Sequence, residues 1–182
     1  MQPLRRKLKC RAPFDAHLTF GPVSRGPAAR VTRDDWWRAM NSPEGRVTVH
    51  VHVDRARAAL DVAAWGPGRD WALERAPELT GLADDPRHFA PAHPILTDLH
   101  HRLGGLRLVR LGAALDVTAA TILEQRVTSV EAARAWRGLV FRHGAPAPGN
   151  AALRVPPSAE VLRQLPDWEW RRLGVEQRRS AT

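Results

Sequence analysis

The sequence predicts an α+β fold, with a small antiparallel sheet in the first part of the chain and helices in the second. Three observations carry this reading. The segment Arg46–Val53 alternates strictly, with Val47, Val49, Val51 and Val53 on one face of a strand and Thr48, His50 and His52 on the other. Gly66-Pro67-Gly68 then punctuates the chain. From about Ala113 onward the apolar residues recur at helical rather than strand spacing.

Taken in order, residues 1–13 read as a basic lead-in ending at Pro13, and residues 14–23 as a strand closed by GPVSRG. DDWWRAM, the turn signal NSPEG and RVTVHVHV form a hairpin, and AALDVAAWG a further strand. The sheet is expected to have one buried face. DWALERAPELTGL reads as a short helix interrupted by Pro77. HPILTDLHHRL reads as a helix with Ile95, Leu96, Leu99 and Leu103 on one stripe, stopped by Gly104-Gly105. LRLVRLG is a strand or an extended link. Leu115, Ala119, Ile122 and Leu123 mark the next helix. Thr128-Ser129-Val130-Glu131 is a capping box that starts another, with Ala133, Trp136, Leu139 and Val140 inward and His143-Gly144 at its end. APAPGN is expected as a loop, PPSAEVLRQLP as a short helix, and LGVEQRRSAT as a turn entering a helix. Asp167 falls between them as a loop residue.

The 182 residues suffice for one large domain or two small ones. Hydrophobic residues make up 43% and charged residues 26%, within the range of soluble globular chains. No apolar run approaches the roughly 18 residues of a membrane span, and no apolar stretch follows the basic N-terminus as a secretory signal requires. A single cysteine, Cys10, precludes an internal disulfide and fits a reducing cytoplasm. The net charge of +9 suits a polyanionic partner, of which nucleic acid is the commonest. Nearly all the cations are arginine, as GC-rich codon usage would give; Lys7 and Lys9 are the two lysines.

The stretch Ile122–Gly144 resembles the opening helix pair of the helix-hairpin-helix DNA glycosylases. Ile122, Leu123, Gln125, Val127 and Thr128 match the family's first helix end, and Phe141 with Gly144 its closing Tyr/Phe-x-x-Gly. VPPSAEVLRQLP and LGVEQRRSAT are similar to the family's next two elements. A sheet-rich region ahead of these helices resembles the 3-methyladenine DNA glycosylase II branch, whose N-terminal sheet is TATA-box-binding-protein-like. The match runs in order along nearly the whole chain and is most specific over 115–182. It implies three regions: the lead-in 1–13, a sheet-rich domain 14–104, and a partial helical glycosylase domain 105–182.

The resemblance further implies a cytoplasmic, nucleoid-associated bacterial repair enzyme. It would act as a monomer without a cofactor or metal, and its partner would be duplex DNA carrying alkylated purines. Such an enzyme flips the damaged base from the stack and must fill the gap left behind. In the family the residue after the motif glutamine forms that wedge, which here is Arg126, with Gln125 beside the opened pair and Thr128 at the start of the next helix. An arginine would fill the gap by planar stacking rather than as an apolar plug. Read without the family, Arg126 is a solvated residue at a helix end and Gln125 a backbone cap. The family's Leu-Pro-Gly-x-Gly hairpin does not occur; Leu165-Pro166 is followed by Asp167. Every aspartate lies upstream of where that hairpin would begin, so no residue is assigned as catalytic. The chain is expected to be an N-terminal portion, inactive alone, with apolar surface exposed on its helical half and correspondingly weak stability. A non-catalytic damage-recognition module on the same scaffold is the alternative, and a regulatory domain unrelated to DNA a third.

Two further features fall outside the family pattern. His50 and His52 share a strand face at a spacing that can ligate a metal, but no companion Cys, Asp or Glu spacing accompanies them. Trp36 and Trp37 are adjacent, so on a strand they face opposite sides and one can be exposed.

Overall fold

The tight turn between Ser42 and Gly45 closes the hairpin that anchors the molecule. The structure, a computed structural model, describes residues 2–10, 13–85 and 89–176. Strands β3 (Asp35–Ser42) and β4 (Gly45–Asp54) pair antiparallel with Trp36 opposite Val51 and Arg38 opposite Val49. β5 (Ala59–Trp65) continues the meander against β4, and β2 (Ala29–Val31) pairs with β3. The fifth strand is β1 (Leu4–Lys9), which adds antiparallel to β5 and gives the order β1-β5-β4-β3-β2. The expected basic lead-in is therefore an edge strand. Leu8 points into the core and Lys7 reaches Asp61 across the pair at 3.2 Å. Charge on an edge strand discourages further strand addition, which is why this strand carries so little apolar pattern.

Val47, Val49, Val51 and Val53 are buried, as the alternation requires. They meet Phe20, Trp36, Met40, Leu60 and Val62 in the main core, closed by helices α1 (Ala16–Phe20), α2 (Arg69–Glu74) and α3 (Ala76–Leu79). Residues 14–23 thus form a helix and a short 3-10 turn (Gly21–Val23) rather than a strand. The cause is local: the Asp15 carboxylate accepts from the amide of Leu18 at 2.9 Å, a cap that starts a helix. Ala16, Thr19 and Phe20 then fall on one buried face.

The opposite sheet face is only partly open. A second hairpin, β6 (Ala145–Ala147) and β7 (Asn150–Val155), lies over its Ala39 and Thr48 end, burying Ala147, Leu153 and Val155 against Ala39 and Trp37. The segment expected as the loop APAPGN supplies β6 and the turn of this hairpin. Its signal is masked by two prolines, which an edge strand tolerates. Gly149 turns at φ +72 against Trp65, where a Cβ would come within 2.4 Å of the indole.

Residues 106–112 form an extended link, not a strand, tied by Arg110 N–H to Glu78 O and Leu108 N–H to the Asp84 carboxylate. Helices α5 (Ala114–Glu124) and α6 (Ser129–His143) pack together with α8 (Asp167–Arg172) in a second core of Ala120, Leu123, Ala135, Trp136, Leu139, Val140, Leu173 and Val175. α7 (Ala159–Gln164) precedes α8. The buried stripe of α5 is rotated from the expected one: Asp116, Ala120 and Leu123 face inward and Leu115 outward. On α6, Ala132 and Ala135 are buried and Ala133 is exposed. Asp167 opens α8 instead of lying in a loop. Of the last expected element, residues 173–176 form a turn leading out of α8, and residues 177–182 lie outside the described residues. No described helix is long and apolar enough to cross a membrane.

Candidate functional site

The turn between α5 and α6 holds all three residues singled out from sequence. Gln125 is extended (φ −72°, ψ 130°) and Arg126 is left-handed at φ +60°. A non-glycine residue in this region costs about 1–2 kcal/mol, so the surrounding helices must impose it. Gln125 and Arg126 are exposed, and Arg126 has no hydrogen-bond or ion-pair partner among the described residues.

Thr128 fixes the far side of the turn. Its hydroxyl accepts from the Glu131 amide at 3.3 Å, while the Glu131 carboxylate accepts from the Thr128 amide at 2.9 Å and its hydroxyl at 2.8 Å. The capping box read from sequence is complete. Thr128→Ala is expected to cost about 1 kcal/mol, lowering Tm by about 2–4 °C for a domain of this size, measured by thermal denaturation.

A strut from the N-terminal region supports the near side. Arg25 grips the Glu124 carboxylate with Nε at 2.7 Å and Nη2 at 3.0 Å, one residue before Gln125. This fork holds the Glu124 carboxyl below the usual range, over the opposing pull of partial burial. Ser24, next to Arg25, accepts from the Trp36 indole N–H at 3.0 Å and donates to Phe20 O at 2.7 Å. A cleft of about 360 Å³ lies between this strut and the helix pair, lined among others by Arg25, Glu124, Val127, Ser129, Trp136 and Arg137. The sequence offered no signal for Arg25, which meets a partner 99 residues away.

Two buried carboxylates join the helices to their surroundings. Asp116, in the first turn of α5, accepts from the Asn41 backbone amide at 3.1 Å and from Asn41 Nδ2 at 3.0 Å. Desolvation pushes the Asp116 carboxyl above its ordinary range despite these bonds and the nearby Arg38. Arg38 is wholly buried, donates to Val23 O at 2.7 Å, and is lowered by that burial to about 10. Glu169 on α8 accepts from Arg142 Nε and meets His143 Nε2, both at 2.9 Å. The His143 hydrogen bond, against the opposing effect of burial and helped by the charges of Arg142, His143 and Arg172, holds its carboxyl below the usual range.

On the open part of the sheet, His50 Nε2 and His52 Nδ1 both meet Asp35 Oδ1, at 2.7 and 3.1 Å. Burial opposes ionisation of Asp35, but the two imidazole hydrogen bonds prevail and its carboxyl lies below the ordinary value. Among the described residues, no group of three or more His, Cys, Asp or Glu is arranged to hold a metal ion. Trp36 and Trp37 do face opposite sides. Trp36 is fully buried, while Trp37 stacks between His50 (centroids 4.0 Å apart) and Trp65 (5.5 Å).

No protein-family model and no curated protein matches the sequence. Solved structures do match the fold. The 3-methyladenine DNA-glycosylase from Archaeoglobus fulgidus superposes with a TM-score of 0.75 at 20% identity, over 97% of this chain and 64% of that one. The fold is that of a DNA glycosylase. MBOgg1, solved with a low-affinity DNA ligand, gives 0.73 at 13% identity over 100% of this chain and 63% of its own. The 8-oxoguanine glycosylase/lyase of Clostridium acetobutylicum, in complex with double-stranded DNA containing cytosine opposite 8-oxoguanine, gives 0.66 at 12% over 99% and 62%. This chain therefore spans less than two thirds of each of these glycosylases.

Proposed function

We propose that this chain is the duplex-recognition portion of a base-excision DNA glycosylase that flips and removes alkylated purines of the 3-methyladenine type. The carrying observation is Arg126, left-handed, exposed and unpaired, on a turn braced on both sides by the Thr128–Glu131 cap and the Arg25–Glu124 fork. A side chain that must enter a duplex has to be free of protein partners and mounted on a stiff base, because ordering it upon binding would otherwise cost affinity. Gln125 stands beside it at the opened base pair, and Thr128 fixes the start of the helix behind. The net charge of +9 supplies the sequence-independent attraction to phosphate. In this reading the chain acts as a monomer in the nucleoid of a bacterial cytoplasm. Its sheet-rich unit, residues 14–104, and its helical unit, residues 105–182, have largely separate cores, which supports the division.

The test is binding to a duplex with a central abasic site. Arg126→Ala should weaken affinity about tenfold, a loss of ~1.4 kcal/mol, with a smaller effect on intact duplex. Equal affinity of the two proteins for abasic DNA would sink the wedge assignment, and salt-independent or absent binding would sink the DNA reading itself. A second reading, a damage-recognition module that does not cleave, is favoured by the lack of a Leu-Pro-Gly-x-Gly hairpin within these residues. Release of free alkylated purine from damaged duplex decides between the two.

A further inference from the structure

Helix α4 (Pro94–Arg102) is well formed and buries no residue. Nine residues are too few for a helix to be stable in water without packing, yet its stripe of Ile95, Leu96, Leu99 and the following Leu103 faces solvent. Leu96, Leu99 and Leu103 line a cleft of about 410 Å³ whose other walls include Phe89, Leu106 and Leu108. Exposure rises from 37% at Leu103 to 69% at Leu108, well beyond scattered surface leucines. Asp84 and Asp85 sit at the rim of the cleft.

We propose that this face is the seat of an amphipathic helix with a basic flank, belonging to the third of the glycosylase fold that this chain does not contain. The solved glycosylases cover 97–100% of this chain while 36–38% of their own length has no counterpart in it. An uncovered apolar surface on a fold with an unmatched third is where that third packs. Ile95 separates a helix from a small ligand as the occupant. It is 64% exposed and lies outside the cleft, so a molecule filling the cleft would leave it in water. A helix laid along α4 at the usual 8–10 Å covers Ile95 and fills the cleft with its own side chains. The acidic rim selects lysine or arginine beside the apolar stripe. The inference rests on the fold and its coverage, not on the DNA reading, and either can fail without the other.

Overlapping fluorescent peptides of about 20 residues, tiling the part of the Archaeoglobus fulgidus 3-methyladenine DNA-glycosylase without counterpart here, provide the probe. An amphipathic basic window among them should bind the intact chain saturably in fluorescence anisotropy, and at least about tenfold more weakly after L96E/L99E. These side chains are exposed, so the double variant should retain the wild-type circular dichroism spectrum. If it does not fold, Leu108→Glu on the link makes the same test without touching α4. Failure of every window to bind would overturn the proposal, as would binding that the substitutions leave unchanged. A wild-type dimer in sedimentation velocity that L96E/L99E converts to monomer would also overturn it, because the face would then be closed by a second copy.

Discussion

Trp36→Ala is expected to destabilise the protein by about 3–5 kcal/mol, the cost of removing a large aromatic from a close-packed core. Trp36 has no exposed surface and stacks on Phe20 with ring centroids 4.3 Å apart and planes 3° from parallel. Its loss opens a cavity between β3 and α1. It also strips the indole N–H from the Ser24 hydroxyl, which then loosens the turn carrying Arg25. The substitution therefore acts on two levels, stability through the cavity and the Gln125–Arg126 turn through the Arg25–Glu124 fork. Urea denaturation should show the lowered midpoint. Trp36→Phe keeps the stack and loses only the hydrogen bond, so a cost of about 1 kcal/mol is expected. Equal losses for the two variants would show that packing at this position is not what holds the strand and helix together.

Much of this arrangement was legible in the sequence where the signal is local. The β3–β4 hairpin, β5 and the Thr128–Glu131 cap follow from period and spacing within a few residues, and all form as read. The failures have physical causes of their own. β1 was hidden because an edge strand with one buried leucine needs little apolar pattern. The Asp15 cap turned an expected strand into α1. β6 was hidden by its prolines. The rotation of α5 has a tertiary cause: Asp116 is turned inward by Asn41, 75 residues distant, and the apolar stripe turns with it. At the candidate site the turn residues Gln125 and Arg126 were legible through the family pattern alone. Nothing in the period or spacing of residues 124–127 announces a left-handed backbone at an arginine. The supports contributed by Arg25 and Ser24 come from another part of the chain and leave no mark on the local sequence.

Asp116 and Glu169 should respond to pH in opposite directions, and this contrast tests how the helices are fastened. Asp116→Ala deprives the Asn41 amide of its acceptor and removes the nearest countercharge to buried Arg38. About 2–4 kcal/mol is expected, somewhat less than for a directly bonded buried ion pair. In the isosteric Asp116→Asn an amide replaces a carboxylate oxygen and sets donor against donor at Asn41. For the wild type, burial raises the Asp116 carboxyl in the folded state, so the folded protein holds its proton more tightly than the unfolded chain does. That contribution to stability is complete below the ordinary aspartate range and is lost as pH rises through the elevated folded value. The gap in stability between wild type and Asp116→Asn should accordingly be widest in acid and narrow toward neutrality. Glu169 works the other way. His143 and Arg142 hold its carboxyl below the ordinary glutamate range, so its contribution is present above that range and vanishes as pH falls through the depressed value. Glu169→Gln should match wild type in acid and fall behind it as pH rises. Urea titrations of the three proteins across pH 3–7, a window of about four units around the ordinary carboxylate values, give the two slopes directly. If both gaps open in the same direction, burial does not dominate at Asp116, and the α5 helix carrying the proposed wedge is held to the sheet as an ion pair rather than by its hydrogen bonds to Asn41.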